Sequence, residues 1–210
     1  MPNWCSSTIS VHADRSVLDK LRREVPIFAL SLVEPVPPIL AGFATEHEWH
    51  PGDDGDFGHY RWIPMRLFAR DGEVVQEPVA ERELAELMSL FGATNAEDWK
   101  RQAWGTGSDM LFPGTWSWQD DVLTTYGETP WSPPNIAVQT LSRRYPTARF
   151  ELSFHIEYDG SGCLVYVNGA EVENSYTEYD WDAIYADEGG LRDQETPDLA
   201  GSVDDTAGCN

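Results

Sequence analysis

Apolar and polar residues alternate most strictly over residues 150–158. This period of two predicts a β-strand with one buried side. A Gly-Ser-Gly turn at residues 160–162 leads into a second apolar run at 163–167, and the Asn-Gly pair at 168–169 marks another tight turn. The segment is therefore predicted to form an antiparallel hairpin.

Similar patterns predict the remaining elements. Residues 4–12 form a β-rich run, and Asp14 can cap a helix over residues 15–25. Further helices are predicted over residues 81–91, 96–103 and 132–145, and further strands over residues 115–118 and 122–126. The order strand, helix, strands, helix, strand, strand predicts an α+β fold, with an antiparallel sheet and helices packed on one face.

Two segments do not follow these patterns. Residues 41–78 hold a polar, histidine-rich stretch followed by an arginine-rich one, and this region is interpreted as an inserted loop. The end of the chain is acidic, glycine-rich and low in aliphatic residues. We therefore predict one domain over residues 1–174, with an insertion at about 41–78, and an acidic, flexible tail over residues 175–210.

The formal net charge is −22, from 36 acidic residues against 14 lysines and arginines. Residues 171–210 alone contain twelve acids and one base, Arg192, and so supply −11. This balance argues against a protein that binds nucleic acid directly, since such proteins need basic residues clustered on one face.

The acidity has two interpretations. It keeps the protein soluble in a salt-adapted or high-GC host, or it forms a surface that imitates DNA phosphates and occupies a basic groove on a partner. Mimicry needs clustered carboxylates, because only a cluster reproduces the closely spaced charges of a duplex. The candidate partner-binding residues are Asp53, Asp54, Asp56, Asp120, Asp121, Asp180, Asp182, Asp187 and Glu188.

The cysteines and the hydropathy of the sequence indicate the cellular compartment. Cys5, Cys163 and Cys209 are widely spaced and form no CxxC pair, which predicts reduced, buried thiols in a cytoplasmic protein. We expect neither a secretory signal nor a membrane-spanning segment, since the first residues lack a charged region followed by an apolar stretch and no apolar run is long enough to span a bilayer. We predict no cofactor.

One segment offers a metal-site alternative. His47, His50 and His59 lie near Asp53, Asp54 and Asp56 and suggest a zinc or manganese site. A solvated acidic loop explains the same residues and is favoured, since their spacing does not follow the calcium-loop pattern. We therefore predict no metal here.

Two tryptophan-containing segments are also candidates. Trp104, Thr106, Asp109 and Trp131 either line a shared surface or serve the core. Large aromatic residues are usually packing residues, so we predict that both tryptophans are buried and that Thr106 and Ser132 cap helices.

Five stretches together resemble the Api-type family of ferredoxin-like proteins carried by bacteriophages and conjugative plasmids. They are residues 3–5 (Asn-Trp-Cys), 33–37 (Val-Glu-Pro-Val-Pro), 98–106 (Asp-Trp through Trp-Gly-Thr), 131–134 (Trp-Ser-Pro-Pro) and the hairpin at 160–169. The resemblance implies a ferredoxin-like fold and a mobile genetic setting, but no activity. This chain departs from the family at Ser7, where an Asn is usual, and at Gly107 and Ser108, where a Lys and an aromatic residue are usual.

We therefore expect a non-enzymatic accessory protein of a phage or plasmid that binds a host or defence protein through its acidic surface, as a DNA mimic. The alternatives are a metal-dependent enzyme that uses residues 46–59, and a structural domain whose acidity only reflects its host.

Overall fold

The computed structural model describes residues 3–50 and 59–180. It contains nine strands, five α-helices and one 3₁₀-helix within these residues. In chain order they are β1 (Trp4–His12), α1 (Arg15–Glu24), α2 (Leu30–Val33), the 3₁₀-helix (Pro38–Gly42), β2 (Phe43–His50), β3 (His59–Arg70), β4 (Glu73–Pro78), α3 (Glu81–Phe91), α4 (Ala96–Trp104), β5 (Ser117–Gln119), β6 (Val122–Pro130), α5 (Asn135–Arg144), β7 (Arg149–Ile156), β8 (Gly160–Val167) and β9 (Ala170–Glu178).

Six strands form one antiparallel sheet in the order β5-β6-β1-β7-β8-β9. Its first four strands have the ferredoxin-like arrangement, because α1 lies in the chain between β1 and β5, and α5 lies between β6 and β7. The hairpin β8–β9 extends this core beyond β7. The predicted α+β fold is confirmed.

The hydrophobic core lies between the sheet and its helices. Ile9 of β1 and Leu152 of β7 are fully buried opposite each other in the sheet. Leu21 of α1 and Leu141 of α5 belong to the same buried cluster, which places both helices on one face. Trp116 closes this core, where its indole N–H donates to the Val25 carbonyl at 2.6 Å.

Two helices end or begin at residues with characteristic capping geometry. Asn95 caps α4 by accepting the N–H of Asp98 at 2.9 Å. Gly92 ends α3 with φ of 69°, a left-handed conformation that glycine adopts without strain. Each signal thus fixes a helix end through local backbone geometry.

The interpretation of residues 41–78 as an inserted loop is wrong for the part that the structure describes. These residues form a second antiparallel sheet in the order β2-β3-β4. Most of its side chains are at least partly exposed, and Met65 is buried. Because neither face is continuously apolar, the alternation that marks a half-buried strand is weak here. The Asn95 amide, which donates to the Thr45 hydroxyl at 3.2 Å, joins this sheet to α4.

The domain continues past the predicted boundary at residue 174. Strand β9 pairs with β8 as far as Glu178, and the Tyr179 N–H donates to the Asp159 carbonyl at 2.9 Å. The rest of the predicted tail, residues 181–210, lies outside the described residues. Within the described chain, no helix has the length and apolar character required to cross a membrane.

The cysteines differ in state. Cys5 is free and fully buried in β1, and burial raises the pKa of its thiol to about 11. Cys163 is disulfide-bonded, so the prediction that all the thiols are reduced is wrong for this residue.

The extent of β9 predicts different stabilities for two truncated chains. A chain that ends after Asn174 loses the last ladder residues of β9, including Tyr176, which stacks on Phe154 at 6.2 Å between ring centroids. We expect its free energy of unfolding to be lower by about 1–2 kcal/mol than that of a chain ending after Asp180. Urea titration measures the difference. Equal stabilities would show that the end of β9 does not contribute.

The Cys5 thiol predicts a loss of stability in alkaline solution. Its pKa is raised from 9.0 to about 11, so the unfolded chain releases this proton at lower pH than the folded one. Stability is therefore fully present below pH 9 and falls as the pH rises towards 11. The decline should be shallower in Cys5→Ala, which lacks this proton, when both chains are unfolded by urea across the same pH series. Identical slopes would exclude Cys5 as a source of the decline.

Candidate functional site

The two tryptophan-containing segments meet at the end of α4. Thr106 donates its hydroxyl hydrogen to the Pro130 carbonyl at 3.1 Å. In the other direction, Ser132 donates to the Gly105 carbonyl at 2.7 Å. These reciprocal bonds join the turn after α4 to the turn after β6. They also correct the prediction that Thr106 and Ser132 cap helices, since both hydroxyls bond to carbonyls and Pro134 occupies the N-cap position of α5.

Trp104 is a core residue, as predicted. Its side chain is 1% exposed, and its indole N–H donates to the Glu34 carbonyl at 2.9 Å. Trp99 packs edge-on against it, with ring centroids 6.0 Å apart. The last residue of α4 therefore anchors that helix in the core.

Trp131 is not a core residue, and its predicted burial is wrong. The side chain is 58% exposed, and its φ is 70°. The Ser132 N–H donates to the Pro130 carbonyl at 2.9 Å across it. A bond between residues two apart across a positive φ defines the classic γ-turn, which is rare. Such a conformation costs about 1–3 kcal/mol and persists only when its surroundings hold it.

Three hydrogen bonds from neighbouring elements hold this turn. The Trp131 N–H donates to the Asn3 carbonyl at 2.8 Å, which ties the turn to the start of β1. The Thr129 hydroxyl donates to the Ser132 carbonyl at 2.7 Å, and Thr106 bonds to Pro130 as described. Both threonines are buried, so water does not compete for these bonds. The backbone that carries the exposed indole is thus held in place by the fold.

Asp109 has a structural role. Its carboxylate accepts the N–H groups of Leu30 at 2.6 Å and Ser31 at 3.3 Å, which begin α2, and that of Met110 at 2.9 Å. These bonds satisfy donors that the short helix leaves open at its start. Of the four predicted motif residues, Trp131 alone presents a mostly exposed side chain.

A pocket of about 610 Å³ lies beside Trp131. One wall comes from α4, and the other walls come from the two joined turns. The lining residues are Glu97, Lys100, Arg101, Gly105, Gly107, Ser108, Pro130, Trp131 and Ser132. A smaller pocket of about 370 Å³ shares Glu97 and Arg101 and extends to His47 and Trp62.

The sequence prediction missed the residues on α4. Glu97 and Arg101 are four apart and form an ion pair at 2.6 Å, while Lys100 lies one residue before Arg101. Their helical spacing is visible in the sequence, but nothing there places them beside Trp131. Gly107 packs on this pair, since a Cβ at Gly107 would lie 3.3 Å from Nε of Arg101.

The structure describes the metal-site alternative only in part. His47 lies in β2, with its ring against Trp62 at a centroid distance of 3.8 Å. His50 and His59 are paired in register between β2 and β3. Asp53, Asp54 and Asp56 lie outside the described residues. Among the residues that are described, no group of three or more His, Cys, Asp and Glu could hold a metal ion.

The predicted acidic residues are similarly divided. Asp120 and Asp121 form the exposed turn between β5 and β6, and Asp180 is exposed after β9. Asp182, Asp187 and Glu188 lie outside the described residues. The described carboxylates of the prediction thus fall in two separate places.

A stronger acidic feature was missed by the sequence prediction. Residues 150–180 contain seven carboxylates and no lysine or arginine. Three of these carboxylates, Glu157, Asp159 and Glu178, are exposed at the same end of the sheet, which we call the acidic end. Desolvation, followed by the hydrogen bond and negative charge of Asp159, raises the pKa of the neighbouring Tyr176. The absence of bases is visible in the sequence, but the clustering requires the sheet register.

The different placement of the two tryptophans predicts opposite effects of substitution. Trp104→Ala should lower the free energy of unfolding by about 3–5 kcal/mol, because it empties a buried site. Trp131→Gly should change it by less than about 1 kcal/mol, because glycine relieves the positive φ and little buried surface is lost. Guanidinium unfolding of both variants tests this. Severe destabilisation by Trp131→Gly would show that the indole supports the fold.

A match to a protein-family model supports the fold. Residues 112–196 match the family model described as the ferredoxin-like domain in Api92-like protein. Among solved structures, the crystal structure of a protein api92 from Yersinia pseudotuberculosis is similar, with a TM-score of 0.45 and 12% sequence identity. The match covers 85% of this chain and 98% of that one. No curated protein matches.

The matched residues, 112–196, begin before β5 and include α5 and every later strand of the described chain. The Api-type resemblance is therefore confirmed as a ferredoxin-like domain of Api92-like type over this part of the sequence. Its phage or plasmid setting stays a prediction.

Proposed function

We propose that this chain is a non-enzymatic accessory protein of a phage or plasmid, which binds a basic surface of a host or defence protein as a DNA mimic. The genetic setting comes from the family resemblance. The binding mode is supported by the uneven distribution of charge over the six-stranded sheet.

The observation that carries the proposal is the lack of compensating bases in residues 150–180. Arg149, directly before this segment, bonds Glu151 and Glu173, each at 2.9 Å. In the described part of the chain, no lysine or arginine nitrogen lies within 4.0 Å of the acidic end, which comprises Glu157, Asp159 and Glu178. The acidic end is therefore available to a cationic partner.

The shape of this region also suits a basic groove. Strand β9 is exposed along all nine of its residues and forms the outer strand of the described sheet. At about 3.3 Å per residue it extends for roughly 30 Å, close to one turn of duplex DNA. Glu173 is paired with Arg149, but Glu171 near the start of β9 and the acidic end beside its last residues present negative charge, which accelerates association with a positive surface.

Asp120 and Asp121 are weaker candidates. Trp118 lies two residues before Asp120. The guanidinium carbon of Arg15 lies 3.5 Å from the centroid of the Trp118 ring. A positive charge close to this turn reduces its field. If the acidity serves only solubility, the position of each carboxylate should not matter, and this difference allows a test.

The test replaces the acidic end with neutral isosteres, as Glu157→Gln, Asp159→Asn and Glu178→Gln. The control removes three exposed charges elsewhere, as Asp71→Asn, Glu73→Gln and Glu81→Gln. Proteins captured from host lysate should be lost with the first variant and kept with the control, and duplex DNA should displace them. Association of a captured protein with the first variant should slow by about tenfold at low salt.

The proposal is rejected if both variants capture the same proteins as the unmodified chain and duplex DNA displaces none of them. The charge would then act as a solubility device. Circular dichroism of both variants checks that neither loses its fold.

A further inference from the structure

We infer that the pocket beside Trp131 binds a small ligand that joins a planar aromatic ring to one anionic group, as a nucleoside monophosphate does. This site is separate from the acidic end, and it would bind an anionic ligand rather than a cationic partner. The inference depends on three features of the pocket: the indole, the donors that surround it, and the space between them.

The indole of Trp131 offers a stacking surface on a backbone that neighbouring elements hold in place. It is 58% exposed, although a tryptophan gains stability from burial. The strained γ-turn and its bonds to Asn3, Thr106 and Thr129 hold it in this position. Strain of this kind gathers where a fold positions a residue for function. Heterocyclic rings stack on exposed indoles largely without regard to base identity.

The polar groups around the indole are mainly hydrogen-bond donors. Lys100 lines the pocket, and its ammonium lies 5.7 Å from the centroid of the Trp104 ring, with no carboxylate of the described residues within 4.0 Å. Arg101 supplies a guanidinium that uses one nitrogen on Glu97. In the described structure, the backbone N–H groups of Gly107 and Ser108 donate to no protein acceptor. A ligand with acceptor oxygens complements this set.

The local charge of the pocket also favours an anionic ligand. Lys100 and Arg101 outweigh Glu97, so the lining carries a net charge of +1. This reverses the sign of a chain whose total is −22. The overall field opposes a long polyanion, whereas a single phosphate meets the two bases directly. The chemistry therefore favours a small anion over a nucleic-acid strand.

The pocket has room for such a ligand because of its short side chains. Its volume of about 610 Å³ lies within the usual range for small-molecule sites. Gly107 and Ser108 leave the opening clear, and a Cβ at Gly107 would already approach the Arg101 side chain to 3.3 Å. A longer side chain at position 107 would extend into this space.

The experiment is calorimetric titration of the full chain with adenosine, guanosine, cytidine and uridine 5′-monophosphates. Inorganic phosphate, adenosine alone and a single-stranded oligonucleotide are titrated in parallel. Trp131→Ala and Lys100→Gln remove the stacking surface and the charge. Trp49→Ala and Lys20→Gln are matched controls, since they remove the same groups at exposed positions outside the pocket.

At least one monophosphate should bind, at least tenfold more tightly than phosphate or adenosine alone. Each pocket variant should weaken this binding at least tenfold, and each control should stay within twofold of the unmodified chain. Added salt should weaken it moderately, as expected for one ionic contact.

Three results would overturn the inference. They are no monophosphate binding, binding that survives both pocket substitutions, and an oligonucleotide that binds more tightly than any monomer. Thermal unfolding of the Trp131→Ala variant separates loss of binding from loss of fold. If Trp131→Ala is unfolded, Trp131→Phe, which keeps a smaller stacking surface, must retain partial binding, and its failure to do so would also reject the site.

Discussion

Two crossed hydrogen bonds, from Thr106 to Pro130 and from Ser132 to Gly105, determine how this molecule is assembled around its pocket. They fasten the end of α4 to the end of β6. With α4 fixed, Trp104 fills the core and Glu97, Lys100 and Arg101 face the turn that follows β6. Because Thr106 is buried, its bond forms away from competing water. The pocket and the exposed indole both depend on this junction.

The sequence could predict the elements whose signals are local. Strict alternation over β7 identifies a half-buried strand, and Asn95 and Gly92 mark helix ends through their own backbone geometry. The sheet formed by β2, β3 and β4 could not be predicted in this way, because polar residues occupy both of its faces. Strand pairing there depends on contacts between segments, and a single segment does not reveal them.

The candidate site also combines features that a local sequence pattern predicts with features that depend on contacts between distant segments. Burial of Trp104 follows from the ordinary behaviour of a large aromatic residue at the end of an amphipathic helix. Exposure of Trp131 follows from a turn that Asn3 and Thr106 hold, and both residues are distant in sequence. The net charge of the sequence likewise does not reveal where the charges cluster in the fold. The total of −22 is plain from composition, but the positive lining of the pocket and the acidic end appear only when strands and helices are placed together.

The outer position of β9 has a consequence for self-association. An outermost strand presents backbone N–H and C=O groups on which a second molecule can add a strand, the usual route to edge-to-edge aggregation. In β9 this edge carries Glu171, Glu173 and Glu178, and antiparallel pairing of two copies would bring like charges together across the new ladder. The glutamates therefore act as gatekeepers against unwanted β-sheet growth. A strand that adds to this edge of the described sheet would meet these carboxylates, which favour lysine or arginine at the facing positions.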